Sequence, residues 1–337
     1  MQPIIIIGTQ RSGSNLLRLM LNQHKDIIAP HPPHILQMFF PLLERYGDLG
    51  EKKNFLLLVR NVCEFVNLNP VPWNLQLDVS VIAAKCRSQS LISIYAAIYE
   101  TLAARKNAQL WCCKSMVNLY YIPQIEQEGL KPIYIHLVRD GRDVAASFRK
   151  AIVGEKHSYY LAKQWKQDQD TAEKNCHQFA PERYVRVMYE NIIHDTENTL
   201  RILLHHLGLV FEPAMLEYYA TSEARETAGA GKMWNNVSNP VLEKNSNKFL
   251  SQLSEPDILL FESIAGETLE KHGYTPYFNR HNWKKQFTPE ETKQFEIENE
   301  EMKKEALRNF DPEGMKKREG QDKLIARIKL RDQKNEN

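Results

Sequence analysis

The chain opens on an apolar run, Ile4-Ile5-Ile6-Ile7, that stops at Gly8 and gives way to the polar stretch Thr9-Gln10-Arg11-Ser12-Gly13-Ser14-Asn15. Four consecutive β-branched residues bounded by glycine read as a strand buried on both faces. Apolar positions resume at Leu16, Leu17, Leu19, Met20 and Leu21, the broad face of a short helix over 15–23. Three more short apolar segments read as strands: 110–114, ending in Lys114; 131–139, ending in Arg139; and 184–189, ending in Tyr189. Between the first two strands, 35–107 is rich in Phe, Leu, Tyr and Ile with mostly helical character, broken at Asn69-Pro70-Val71-Pro72-Trp73. Helices are also predicted after Asp143 through Lys150, and from Thr196 to Leu207 with Gly208 as the stop.

Strands separated by helical stretches predict an α/β fold. The expectation is a P-loop-like parallel sheet flanked by helices with right-handed crossovers, carrying a helical insert at 35–107. Ligands of such sheets bind beyond the carboxyl ends of the strands. The loop at 8–15, Lys114, Arg139 and Tyr189 all fall at such ends. From His281 the text turns into a dense mixture of Lys and Glu with scattered apolar residues, predicted as a charged helical extension over 281–337. Its ordinary reading is a solvated tail, and its alternative an oligomerisation arm. Aromatic and Met positions of the insert (Met38, Phe39, Phe40, Tyr46, Phe55, Trp73, Tyr95) read first as core and second as walls of a pocket.

Composition narrows the classes. At 337 residues with a net charge of +2, the chain has no basic bias that would point to nucleic acid or a polybasic membrane surface. No apolar run approaches the roughly 20 residues that span a bilayer. A secretory signal cannot be cut from the first strand without destroying the loop behind it. Five cysteines, odd in number and without metal-ligand spacing, read as reduced core residues. The expected setting is cytoplasmic, with no transmembrane segment and no nucleic-acid partner; a homodimer is compatible with the text.

The opening loop carries the chemistry. A strand, a Gly/Ser turn and a helix in that order point backbone N–H groups and the positive end of the helix at one anion. Gly8 and Gly13 have the G-x-x-x-x-G spacing of nucleotide-binding loops, but Ser14 and Asn15 stand where a nucleoside triphosphatase needs Lys and Ser/Thr for the phosphates and magnesium. Arg11 supplies positive charge instead. The loop therefore suits a phosphate ester that needs no metal.

Two motifs together resemble the sulfotransferases that use 3′-phosphoadenosine-5′-phosphosulfate (PAPS). Gly8–Leu17, with Arg11-Ser12-Gly13-Ser14, is similar to their 5′-phosphosulfate loop. Arg139-Asp140-Gly141-Arg142-Asp143-Val144-Ala145-Ala146-Ser147 is similar to their 3′-phosphate motif, an Arg followed eight residues later by a Ser. Lys114 stands where a strand-end lysine is expected, Tyr189-Glu190 matches a Y-E pair, and a closing stretch from Asn247-Lys248-Phe249 to Gly273-Tyr274 is also similar. The resemblance covers about 3–278, most closely to bacterial and tyrosylprotein-type members, and implies a sulfotransferase domain over 1–280 followed by the extension.

The resemblance implies roles. Arg11, Ser12, Gly13, Ser14, Asn15 and Leu16 would hold the 5′-phosphosulfate, and Arg139 with Ser147 the 3′-phosphate. Lys114 and Arg11 would act on the transferred group and the departing phosphate. Tyr189 would lie by the adenosine, and Lys248 would add a cation to the 3′-phosphate. Arg142 and Asp143 are expected to pair on a helix surface, with no donor contact. Relatives that use Glu as general base place it near position 32, which is Pro32 here. His31 and His34 flank it; the alternating directions of an extended chain favour His34 without excluding His31, and Glu44 is a distant reserve. The expected activity is metal-independent, in-line transfer of sulfonate to a hydroxyl of a small-molecule, lipid or glycan acceptor. A non-catalytic nucleotide-binding module and a nucleotide-dependent kinase are the alternatives.

Overall fold

A computed structural model describes residues 1–308 and 312–331 of the chain. Its centre is a sheet of five parallel strands: β1 (Gln2–Ile7), β2 (Ile27–Ile28), β3 (Leu110–Cys113), β4 (Ile133–Val138) and β5 (Tyr184–Met188), in the order β2-β3-β1-β4-β5. β1 is the middle strand because its isoleucines can be buried on both sides: Ile4 pairs with Cys112 on one neighbour and Ile133 on the other. The two-residue alternation of a strand then sends β1 into two cores, one on each face of the sheet, while a third gathers around Phe148, Trp165 and Phe261. Ile5 and Ile7 join the aromatic cluster of Phe39, Tyr95, Tyr99 and Trp111, while Ile4 and Ile6 join Leu17, Leu19 and Leu21 behind the loop helix. All four isoleucines have no exposed surface. Burial contributes about 1.5–3 kcal/mol for each such side chain relative to exposure.

Four of the strands lie where the sequence pattern puts them, as do the helices Ser14–Leu21, Gly141–Arg149 and Thr196–His206; the helices Met116–Tyr121 and Ile122–Gln127 after β3 were not predicted. β2 was not foreseen: two residues carry no periodicity, and Ile27 and Ile28 form a strand only because β3 offers them an edge. Tyr189 begins the helix Tyr189–His194 rather than closing β5. The insert folds as the helices Ile35–Phe39, Lys52–Asn67, Val79–Lys85 and Leu91–Arg105, and the proline-rich break falls between the second and third. Most of its aromatic positions are core, as Phe39, Tyr46, Phe55 and Tyr95 show. Met38 instead faces the cavity described below. The five cysteines are unpaired.

The extension folds as two helices, Pro289–Arg308 and Pro312–Lys329. The reading of this stretch as a solvated tail is corrected. Leu324, Ile325 and Ile328 are buried in the insert's core, Arg327 pairs with Glu64 at 2.8 Å, and Gln321 donates to the Phe65 carbonyl at 2.9 Å. Apolar residues spaced one turn apart dock this helix, a signal that the surrounding Lys and Glu obscured. Positions 309–311 and 332–337 of the extension lie outside the described residues. No described helix is long and apolar enough to cross a membrane.

Candidate functional site

The site is built on the turn after β1. Gly8 (φ +129°) and Gly13 (φ +83°) both need the backbone that glycine alone adopts freely. Space requires them too. A Cβ at Gly8 would lie 2.4 Å from the Leu137 carbonyl oxygen, and one at Gly13 would lie 2.3 Å from the Tyr189 ring. Arg11 is likewise left-handed, at φ 71°. The turn leads into the helix Ser14–Leu21, whose N-terminus has no side-chain cap and no acidic residue in its first turn. The first backbone N–H groups of a helix lack intrahelical acceptors. Here they open with the positive dipole end onto a cavity of about 840 Å³.

Arg11, Gly13, Ser14, Asn15, Leu16, His31, His34, Lys114, Arg139, Ser147, Tyr189 and Lys248 all line this one cavity. Residues from the carboxyl ends of four strands therefore converge as the topology requires. Ser12 does not line it. Its side chain is fully buried and its Oγ has no hydrogen-bond partner among the described residues. Any contribution of Ser12 to an anion comes from its backbone. Glu44 is exposed and lies off the cavity.

The two sequence motifs touch. Arg11 Nε donates to Ser147 Oγ at 3.1 Å, and one terminal nitrogen of Arg139 donates to the Arg11 carbonyl at 3.0 Å. The other terminal nitrogen of Arg139 donates to the Asn245 carbonyl at 3.0 Å and lies 3.6 Å from Asp143. The guanidinium sits 4.5 Å from the centre of the Tyr189 ring, within cation–π range. Asp143 accepts the Phe249 amide at 2.8 Å, which anchors the segment carrying Lys248.

The expectation for Arg142 and Asp143 is also corrected: they do not pair on a helix surface. Both are buried. Arg142 takes Asp140 through two nitrogens, at 3.0 and 2.7 Å, and Glu262 at 2.7 Å. That pair ties the Arg139 helix to the helix Glu255–Lys271, more than a hundred residues downstream.

Lys114 stands one residue beyond β3, is 8% exposed, and makes no hydrogen bond among the described residues. Burial, then the charges of Arg18 and Arg11, push its ammonium down to about 7. Burial and Arg139 similarly lower Arg11 to about 10. Cations crowded this way, with Asp143 beside Arg139 and Glu223 beside Arg18 as carboxylate partners, lower one another's proton affinity. An anion placed among them raises those values back.

Beyond Lys114 lies the Pro-bracketed segment 29–34. His34 has φ 59° and its Nδ1 lies 3.2 Å from Ser115 Oγ. Burial, Lys114 and Arg318 hold its imidazole below the ordinary value, so the ring is neutral at pH 7. When Nδ1–H donates to Ser115, Nε2 is left as a proton acceptor. His31 is pushed down by burial, Arg18 and Lys114. Its carbonyl accepts from Asn69 at 3.0 Å and Trp73 at 2.8 Å, its ring meets Trp234 edge-on at 5.8 Å, and its Nδ1 has no described partner.

Sequence reasoning missed Asn245, Trp234 and Arg318. Asn245 also donates to the Tyr189 hydroxyl and lies two residues before the closing stretch that was noticed. Arg318, over Trp234 at 5.6 Å, comes from the terminal helix, where its charge was one among many.

The profile of the sulfotransferase family matches residues 3–213, which contain the loop, Lys114, Arg139, Ser147 and Tyr189. The chain belongs to the sulfotransferase family. Two solved structures share its fold. The sulfotransferase domain from the curacin biosynthetic pathway has 21% identity and a TM-score of 0.54, covering 81% of this chain and 98% of that one. The sulfotransferase domain from the Synechococcus PCC 7002 olefin synthase has 21% identity and a TM-score of 0.51, covering 78% and 94%. An uncharacterized protein of Aquifex aeolicus (strain VF5) is 22% identical over 285 residues, 80% of this chain, and the chain spans 34% of that protein's length. Family and fold support a sulfonate-transferring activity in general.

Proposed function

We propose that this sulfotransferase takes its sulfonate from PAPS and passes it, by in-line displacement, to a hydroxyl group of a small-molecule, lipid or glycan acceptor. The observation that carries this reading is the contact between the two anion-binding motifs: Arg11 reaches Ser147 and Arg139 reaches the Arg11 backbone, beside an uncapped helix N-terminus. Two phosphate-binding groups held side by side suit a nucleotide with phosphate on both its 3′ and 5′ oxygens. The buried and unpartnered Asn15 Oδ1 and Arg139 Nε fit a polar ligand at this place.

In this reading the N–H groups of Ser14, Asn15 and Leu16 receive the 5′-phosphate, and Arg11 neutralises the charge that grows on it as the S–O bond breaks. Arg139, Ser147 and Lys248 hold the 3′-phosphate, with the Tyr189 ring toward the adenosine. Lys114, a mobile point charge, follows the sulfonate oxygens between the departing and attacking oxygens. These cations carry the developing charge, so the transfer needs no metal. His34 Nε2 accepts the acceptor's proton, with His31 the second candidate because its Nδ1 is unpartnered. The cavity wall from Met38, Phe65 and Trp234 receives the acceptor.

Calorimetry tests the donor. The protein should bind 3′,5′-adenosine bisphosphate equally well with EDTA or magnesium, and far more tightly than ATP. Preference for magnesium–ATP would return the fold to a kinase. Bisphosphate binding without turnover, across a labelled-sulfonate screen of hydroxyl acceptors, would favour a non-catalytic module.

A further inference from the structure

The loop 151–157 joins the helix Gly141–Arg149, which carries Ser147, to the helix Ser158–Cys176. Ala151, Val153 and Gly154 of this loop line the cavity. Its shape is unusual: Gly154 has φ +75°, and a Cβ there would meet the Phe148 ring at 2.7 Å. Lys156 is 1% exposed and folds its Nζ back onto the Val153 and Gly154 carbonyls at 2.7 and 3.0 Å. A buried ammonium satisfied by neutral carbonyls is expensive, and burial lowers it to about 8. The loop is also supported from outside.

That support comes from the extension. Asn299 is the one buried residue of the helix Pro289–Arg308, at 3% exposure. Its Oδ1 accepts the backbone N–H groups of both Lys156 and His157, at 2.9 and 3.0 Å, and its amide nitrogen donates to Glu155. Lys303 pairs with Glu155 at 2.7 Å, the Phe295 ring stacks on His157 at 4.8 Å, and Glu298 lies 3.1 Å from His157 Nε2. A helix that is charged along most of its length and buries a single amide is poorly made for adding core stability. It is well made for fixing the amides it touches.

We propose that the helix Pro289–Arg308 holds the loop 151–157 in its donor-binding shape, with Asn299 as a positioning residue for the 3′-phosphate end of the site. The inference rests on the donor reading above. The helix Pro289–Arg308, which lies beyond the matched family region, thereby acts on the site from outside the cavity.

The test uses the full chain, with 3′,5′-adenosine bisphosphate and 5′-AMP as calorimetric probes. Asn299→Ala should weaken the bisphosphate about ten-fold and 5′-AMP less than two-fold, as expected for two lost buried hydrogen bonds acting on one subsite. Glu155→Ala, at a half-buried position, should show the same selectivity at about three-fold, and carries the test alone if Asn299→Ala does not fold. Equal loss of both ligands, or a lower melting temperature with bisphosphate affinity unchanged, overturns the inference while leaving the donor reading intact. Failure of the unmodified chain to bind the bisphosphate removes the donor reading and this inference with it.

Discussion

The two sides of the cavity are made differently. On the proposed donor side, Arg11, Arg139 and Tyr189 follow strand ends and Ser147 lies in the helix after β4. Arg11 bonds to Ser147 and Arg139 to the Arg11 carbonyl at 3.0–3.1 Å, with the Tyr189 ring against the Arg139 guanidinium. On the acceptor side, His31 and His34 come from a proline-bracketed segment, Trp234 from the turn Lys232–Ser238, and Arg318 from the terminal helix. Ring contacts and side-chain bonds to carbonyls hold those pieces against each other. In the proposed reading, residues at strand ends supply most of the charge for sulfonate transfer. Attached segments would shape the surface that meets the acceptor. One side follows from the strand topology, the other from segments brought in along the chain, and Lys114, Arg318 and His34 couple them electrostatically.

Removing Lys114, at the boundary, gives the sharpest break. Lys114→Ala should lower kcat by about a thousand-fold, as loss of an electrostatic transition-state contact does, with bisphosphate affinity within three-fold. A comparable loss of affinity would move Lys114 wholly to the donor side. Arg139→Ala should weaken the bisphosphate by about a hundred-fold in calorimetry, since it removes charge-assisted bonds and strands the buried Asp143. Unchanged binding would dissolve the donor side as drawn.

Ser115→Ala should act on the acceptor side alone. Without the partner that orients His34 Nδ1, kcat should fall by about ten-fold, with bisphosphate affinity constant. Equal activity would pass the proton-accepting role to His31. The smallest effect is a proton count. With Lys114 lowered to about 7, the free protein at pH 8 carries it mostly neutral, and bound anion raises it. Bisphosphate binding at pH 8 should therefore take up a fraction of a proton, vanishing in Lys114→Ala, measured by calorimetry in buffers of different ionisation enthalpy. By the same sign, affinity falls as pH rises through 7 to 9.

The meeting of the two motifs in one cavity was legible because each motif is contiguous. Gly8 to Leu17 reads in one glance, and Arg139 to Ser147 in another, since each strand-to-helix junction puts its own residues at the site. Arg142 was misread because, beyond the local Asp140, the contact to Glu262 comes from 120 positions away, and nothing local distinguishes a buried guanidinium from a solvated one. Ile27 and Ile28 were missed for the same reason: their strand exists only through β3. The acceptor side is non-local almost throughout. Pro32 and its flanking histidines marked the place, but Trp234 and Arg318 arrive from elements that carry no motif.

The central place of β1 also orders events in time. Its residues pair with Leu110–Cys113 and with Ile133–His136, so the opening strand has no sheet to join until more than a hundred further residues have been made. Closing loops of that length precedes the contacts that reward it, which places the chain among slow, topology-limited folders. The loop after β1, early in the text, thus takes its form late, once the strand that leads into Arg139 has followed.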